Sequence, residues 1–385
     1  MHNRTEQFLN DPVFPLLIRM SAPNTIAFFI QAIVVLAEVW FISKLGTTSL
    51  AAVALAFPVI MLTQQMAFGA LGGAVTSSIA RSLGAEDKER AEKLLWHSLL
   101  LSCCGYLLFF LIFFIGGESL LMALGGEGSL LEESLLYIKI FLTGAIFIWL
   151  SGMLSAALRG IGNMRFPALL MIAGSGIQVI LAGGLILGWF GLPKLGIIGA
   201  PLSAISVAAL MAIVMILKFM HSSSNVQLKL SNLSFKKELF RDIFNVALPA
   251  SLAPIFTVGT ILILTGLVGQ FGVSALAGYG IGSRIEFLMI PLVFGIGTAM
   301  TTMVGTNIGA KKVERAERIG WLGGSFAGLF SGMIGLMLIL SSSYWINFFA
   351  TDQATYEVTK QYIEIVGLCF TFQGLGLSLY FASQG

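Results

Sequence analysis

The feature that most constrains this chain is its division into long apolar blocks. Ten of them fall at roughly 14–41, 50–80, 94–115, 134–158, 166–189, 196–219, 243–268, 274–305, 319–341 and 360–384. A helix needs about 20 apolar residues to cross a hydrocarbon core of about 30 Å. Inside that core each backbone N–H and C=O must be satisfied within the protein, which leaves helices or closed barrels. A barrel would show alternating segments of about 10 residues, and the blocks show no such alternation. Only 11% of the residues are charged, against roughly 25% in soluble domains. The predicted fold is therefore an all-α polytopic membrane protein.

Turn residues and charges punctuate the blocks, at Lys44–Gly46, Gly84–Lys88, Gly116–Gly117, Arg159–Gly162, Leu192–Lys194 and Lys311–Lys312. Lys and Arg are unevenly shared between the two faces. Seventeen fall on the side of the N-terminus, from Arg4 and Arg19 to Arg315 and Arg318. Four, Lys44, Lys139, Lys194 and Lys360, fall on the other, and Arg284 lies within a span. Cationic loops stay cytoplasmic, so the N-terminus is expected in the cytoplasm and the protein in the cell (inner) membrane. The net charge of +3 reads as this asymmetry, with no nucleic-acid partner. The polar start, Met1 to Asn10, has no short cleavable apolar region after it. Cys103, Cys104 and Cys369 lie in apolar blocks, and His2, His97 and His221 are scattered, so no metal cluster is expected.

The longest interruption, residues 221–242, separates an N-terminal six-helix unit (1–220) from a C-terminal unit (243–385). Its later part, Phe235–Arg241, could lie as an amphipathic helix at the interface or remain a flexible linker. The two units resemble each other. At an offset of 226, Gly46, Leu50, Ala51, Phe68 and Gly69 meet Gly272, Leu276, Ala277, Phe294 and Gly295. One residue is then lost. Gly84, Ala85, Glu89, Arg90, Ala91 and Glu92 meet Gly309, Ala310, Glu314, Arg315, Ala316 and Glu317 at 225. Six spans per repeat make the repeats parallel, related by a pseudo-two-fold axis along the membrane normal, with a cleft between the bundles for alternating access. Ala157 and Gly160 correspond to Ala382 and Gly385, so the second bundle is truncated after four helices, and two further spans are expected beyond Gly385.

Several blocks together resemble the MATE (multidrug and toxic compound extrusion) family. The stretch from Glu38 to Val53 is similar to its first span and loop, with Glu38 where an Asp is usual. Ser77–Ala85, Leu158–Asn163, Leu195–Pro201, Arg284-Ile-Glu286 and Val304–Ala310 are similar to further segments, the last two to the bacterial DinF-like branch. The resemblance implies a secondary antiporter that exports organic, cationic or amphiphilic compounds. It implies a proton or sodium gradient as the drive, a small-molecule substrate, a lipid membrane, no cofactor and a monomer. Two places depart from the family pattern. Gln178 and Ala182 stand where an Asn and an Asp are common in the fifth span. Thr257, eight residues after Pro249, stands where some branches carry an acid.

An ionisable residue inside a span is costly and marks a pathway. Asn24, Gln31 and Glu38 recur every seven residues and so share one face of the first helix. Pro23 beside Asn24 can free backbone carbonyls. Glu38 is the leading site for the coupling ion. A proton could compete there with a cationic substrate, or sodium could bind if Asn24, Gln31 and Gln178 converge on it. The alternative is a solvated Glu38 at the outer interface beside Lys44. Arg284 and Glu286 point about 200° apart, given a helix's turn of about 100° per residue. Each then needs its own partner, either to pin the eighth helix or to contact substrate. Asn307 is expected to cap or pack, and Glu364 to be interfacial. A flippase for lipid-linked precursors is the competing reading, although such proteins tend to carry more cations within their spans. An enzyme would need a His/Asp/Glu or Cys/His constellation, and none is present. The phosphate-binding loop G-x-x-x-x-G-K-[ST] is also missing, so ATP does not drive transport on this chain.

Overall fold

The computed structural model describes residues 3–221, 226–287, 289–347 and 352–385, without the side chains of residues 3, 273 and 287. A short helix α1 (Asn3–Asn10) precedes the first span, α2 (Val13–Ser43). The second span is α3 (Thr47–Gln65), a π-helical turn (Met66–Leu71) and α4 (Gly72–Gly84). Then follow α5 (Lys88–Ala123), α6 (Gly128–Gly160), α7 (Arg165–Leu187) and α8 (Gly199–Met220). After the linker come α9 (Lys237–Gly269), α10 (Val273–Phe287), α11 (Ile290–Gly309), α12 (Val313–Leu340), the short α13 (Ser342–Ile346) and α14 (Gln353–Gln384). Among the described residues ten stretches are long and apolar enough to cross a membrane. Leu107, Leu108, Leu111, Ile112, Phe114 and Ile115 of α5 are exposed, as suits a lipid-facing surface.

Local chemistry explains several boundaries. Asp87 caps α5 by accepting from the Arg90 N–H at 2.9 Å, and Asp352 caps α14 by accepting from the Thr355 N–H at 2.8 Å. Asn163 accepts from the Phe166 N–H at the start of α7. Gly116–Gly117 makes no break, because α5 runs through it to Ala123. The second and eighth spans both depart from regular helix, the eighth just before Pro291, whose missing N–H and fixed φ suit the first turn of a helix. One contains the π turn; the other changes from α10 to α11 between Phe287 and Ile290.

The linker is a strap tied to α5. Trp96 donates through Nε1 to the Lys229 carbonyl at 3.0 Å, and Asn232 donates to Glu92 at 2.6 Å. The buried His97 ring accepts at Nε2 from the Lys236 N–H at 3.0 Å, which assigns its proton to Nδ1, facing the Lys93 carbonyl at 2.7 Å. Phe235 and Phe240 pack on the same ring. Phe235–Arg241 therefore forms no separate interfacial helix. From Lys237 it is the first turn of α9, while residues 222–225 lie outside the described part. Asp242 of α9 pairs with Arg81 of α4 and Arg90 of α5, each at 2.9 Å.

Residues 225 apart share geometry as well as identity. Glu86 and Lys311 both take a left-handed backbone, with φ 61° and 62°. The Asp87 N–H bonds the Ser82 carbonyl at 2.9 Å, and the Lys312 N–H bonds the Asn307 carbonyl at 2.8 Å. Thr76 donates to the Ala156 carbonyl at 2.9 Å, and Thr301 to the Phe381 carbonyl at 2.8 Å. Gly84 and Gly309 seal the seam between α4 and α11 reciprocally. A Cβ on Gly84 would sit 2.0 Å from the Thr306 carbonyl oxygen, and one on Gly309 would sit 2.0 Å from that of Arg81. Only glycine permits this approach of two helix backbones.

Candidate functional site

The stripe on α2 has three polar groups on one face: the first reaches α11, the second α7 and the third both α7 and α8. Asn24 is buried and donates to Thr298 of α11 at 3.2 Å and toward the Met164 sulfur at 3.4 Å. Gln31 accepts from Ser175 of α7 at 3.0 Å. Glu38 is half-buried and accepts from Gln178 Nε2 of α7 at 2.9 Å and from Ser203 of α8 at 3.4 Å. Ser203 also donates to the Ala200 carbonyl at 2.7 Å, so its hold on Glu38 is the weaker. Tyr137 of α6 is buried within electrostatic reach of Glu38. No Lys, Arg or His pairs with Glu38 among the described residues. Lys44 sits instead over the Trp40 ring, 4.9 Å from its centroid.

A carboxylate between three helices, held by neutral donors and lacking a counter-cation, is suited to taking up a proton or a small cation. The three stripe residues do not converge on one ion: Gln178 alone joins Glu38, while Gln31 and Asn24 are committed elsewhere. Among the described residues no three His, Cys, Asp or Glu side chains gather as metal ligands would.

The other sequence candidates lie apart from Glu38. Thr257 is exposed on α9 and donates to its own helix, to the Ala253 carbonyl at 2.9 Å. Glu286 of α10 accepts from Tyr362 at 2.6 Å and from Gln373 at 2.7 Å, both on α14. Arg284 is exposed and forms no hydrogen bond or ion pair within the described residues, so Glu286 is the member of that pair anchored to a neighbour. Asn307 packs α1 onto α11, donating to the Phe8 carbonyl at 3.1 Å. Glu364 faces Lys360 at 4.0 Å on the surface of α14. Sequence reasoning did not single out Ser175, Ser203, Tyr137, Thr298, Tyr362 or Gln373. A search for hydroxyls in apolar spans, which serve there as interhelical donors, would have raised all of these but Gln373.

The chain resembles known proteins along nearly its whole length. It is 26% identical to an FAD transporter of Shewanella oneidensis, covering 97% of this chain and 82% of that one. It is 24% identical to the probable multidrug resistance protein NorM of Thermotoga maritima, covering 96% and 79%. Its structure is similar to an outward-facing conformation of a multidrug resistance MATE family transporter of the MOP superfamily. The TM-score is 0.88 at 25% identity, with 99% of this chain and 84% of that one covered. A MOP superfamily transporter from Pyrococcus furiosus gives a TM-score of 0.89 at 25% identity, with 99% and 85% covered. The MatE family model matches residues 23–182 and 249–385, and with ten helices among the described residues long and apolar enough to cross a membrane, the chain belongs to the MATE family of multi-pass membrane transporters and is not an enzyme.

Proposed function

We propose that this protein is an ion-coupled antiporter that exports organic compounds, with Glu38 as the coupling carboxylate. One observation carries the reading: Glu38 stands inside a span, held by Gln178 and Ser203 without a cationic partner among the described residues. The proton is the favoured coupling ion. Sodium calls for several oxygens around it, and of the three residues that could have supplied them only Gln178 reaches Glu38, through its amide nitrogen, while Asn24 and Gln31 bond elsewhere. The substrate class favoured is cationic or amphiphilic, in line with the multidrug relatives.

Alternating access fits the architecture. Gly84, Ser77, Asn24 and their partners in α11 and at Gly385 join the two units toward the N-terminal face. The repeated turns at Glu86 and Lys311 support two bundles, 1–220 and 243–385, related by a pseudo-two-fold axis along the membrane normal. The Lys/Arg bias supports a cytoplasmic N-terminus in the inner membrane, and that face would then be the closed one. Neutralising the carboxylate would weaken the hydrogen bonds from Gln178 and Ser203, which are stronger to a charged acceptor, and so loosen α2 from α7 and α8. The test is export of a cationic dye from vesicles carrying the full chain, under separately imposed proton and sodium gradients. Export driven by the proton gradient is expected, and no export under either gradient would reject the reading.

A further inference from the structure

We propose a second cation site, distinct from Glu38, formed by Glu286, Tyr362, Tyr279 and Gln373 between α10 and α14, whose ligand is an organic ammonium group of the exported compound. The proposal rests on the export reading above but not on the role of Glu38.

The site is built from two facing helix surfaces. Tyr279 and Glu286 are seven residues apart on α10 and share a face; Tyr362 and Gln373 are eleven apart, three turns, and share a face of α14. Tyr362 donates its hydroxyl to one oxygen of Glu286 at 2.6 Å, and Gln373 donates its amide to the other at 2.7 Å. The Tyr279 and Tyr362 rings meet edge to face, 5.6 Å between centroids. Glu286 therefore has both oxygens oriented by neutral donors, yet it forms no ion pair among the described residues. A carboxylate within a span and without a counter-charge is costly, and a cationic ligand would remove that cost. Glu286 is half-buried and Gln373 exposed, so the cluster opens to a surface. A carboxylate beside two tyrosine rings favours an organic ammonium, which gains both charge pairing and contact with the ring faces.

The internal repeat supports the same assignment independently. Tyr362 lies 225 residues after Tyr137, the tyrosine buried within reach of Glu38. The register of that equivalence is fixed by a neighbouring pair of contacts. Ser134 donates to the Ala52 carbonyl at 3.2 Å, and Thr359 donates to the Gly278 carbonyl at 3.3 Å. The equivalent tyrosines differ in contact: Tyr362 donates directly to Glu286 of α10, while Tyr137 lies within electrostatic reach of Glu38 of α2 without a hydrogen bond to it. Two separated carboxylates allow the coupling ion and the substrate to bind in different units, so that exchange need not be competition at Glu38 alone.

The experiment is equilibrium binding of ethidium to the full chain in lipid nanodiscs, read by fluorescence anisotropy without any gradient. The parent should bind it. Glu286→Gln should weaken binding about tenfold or more, equivalent to one lost charge contact, and Tyr279→Leu about threefold through the lost ring face. Glu364→Gln, at an exposed position of α14, should bind as the parent does. If Glu286→Gln folds poorly, as judged by its melting temperature, Gln373→Arg carries the test. It places a cation at the exposed mouth and should also weaken ethidium about tenfold by charge repulsion. No binding by the parent would overturn the proposal. So would unchanged binding by well-folded Glu286→Gln or Gln373→Arg, or loss in Glu38→Gln with retention in Glu286→Gln. Failure of gradient-driven export with ethidium binding intact would instead count against the coupling reading.

Discussion

The two ends of one polar stripe on α2 are fastened in different ways. At Asn24 the helix is tied across the molecule to Thr298 of α11. Two and four turns farther on, at Gln31 and Glu38, it is tied to Ser175 and Gln178 of α7 and to Ser203 of α8. The residues share a face by the periodicity of the helix, but their partners come from helices after and before the linker, α11 in one case and α7 and α8 in the other. The stripe is therefore two devices on one rod, a seam contact at one end and a carboxylate site at the other. A change at Glu38 can reach the seam through the helix itself, with Pro23 beside Asn24 removing one backbone hydrogen bond of that rod.

The largest effect should come from forcing the seam apart. Gly84→Val and Gly309→Val each drive a side chain into a carbonyl that a Cβ alone would already meet at 2.0 Å. Overpacking by a methylene or two costs about 1–3 kcal/mol, and a backbone collision of this kind should exceed it. Both variants should give little monodisperse protein in size-exclusion chromatography. A normal yield would mean that α4 and α11 can separate freely and that the seam is not tight.

Gln178→Ala should act on the other end. It removes the shorter of the two hydrogen bonds to Glu38, and export should fall by about tenfold, the equivalent of about 1.4 kcal/mol, with the melting temperature little changed. Equal losses of export and of folded protein would recast Gln178 as a packing residue. Asn24→Ala should cost about 1 kcal/mol of stability, the net worth of one hydrogen bond, seen as a small drop in melting temperature. Arg284→Ala should have the smallest effect, within about 0.5 kcal/mol, as for other exposed positions without special partners. The sequence alone suggested that Arg284 has a partner of its own, pinning the eighth helix or contacting substrate. Its exposure and the absence of an ion pair among the described residues argue against the pinning role.

Much of this architecture was legible because hydropathy and helix length are local properties. The ten spans could be counted because a lipid core rewards about twenty apolar residues in a row, and the linker stood out by composition. The break expected at Gly116–Gly117 rested on turn preference alone, and α5 runs through it. The strap at residues 226–236 was not legible, because its partners Glu92, Trp96 and His97 lie more than a hundred residues earlier. The same holds for the site. Period and Pro23 marked the face of α2, but Ser203 joins Glu38 only through tertiary packing. Tyr362 was within reach of sequence reasoning, since the 225-residue offset pairs it with Tyr137, but that offset was followed through loops and glycines rather than through tyrosines.

The most direct test of the account compares parental protein with Glu38→Gln and Glu38→Asp in sealed vesicles, measuring dye export under a proton gradient and, separately, under a sodium gradient. Glutamine keeps the size and helix propensity of glutamate, so the Gln variant should fold. It should then lose gradient-driven export to background, while the Asp variant keeps part of it. Export by Glu38→Gln at the parental rate under both gradients would contradict the account and remove Glu38 from coupling.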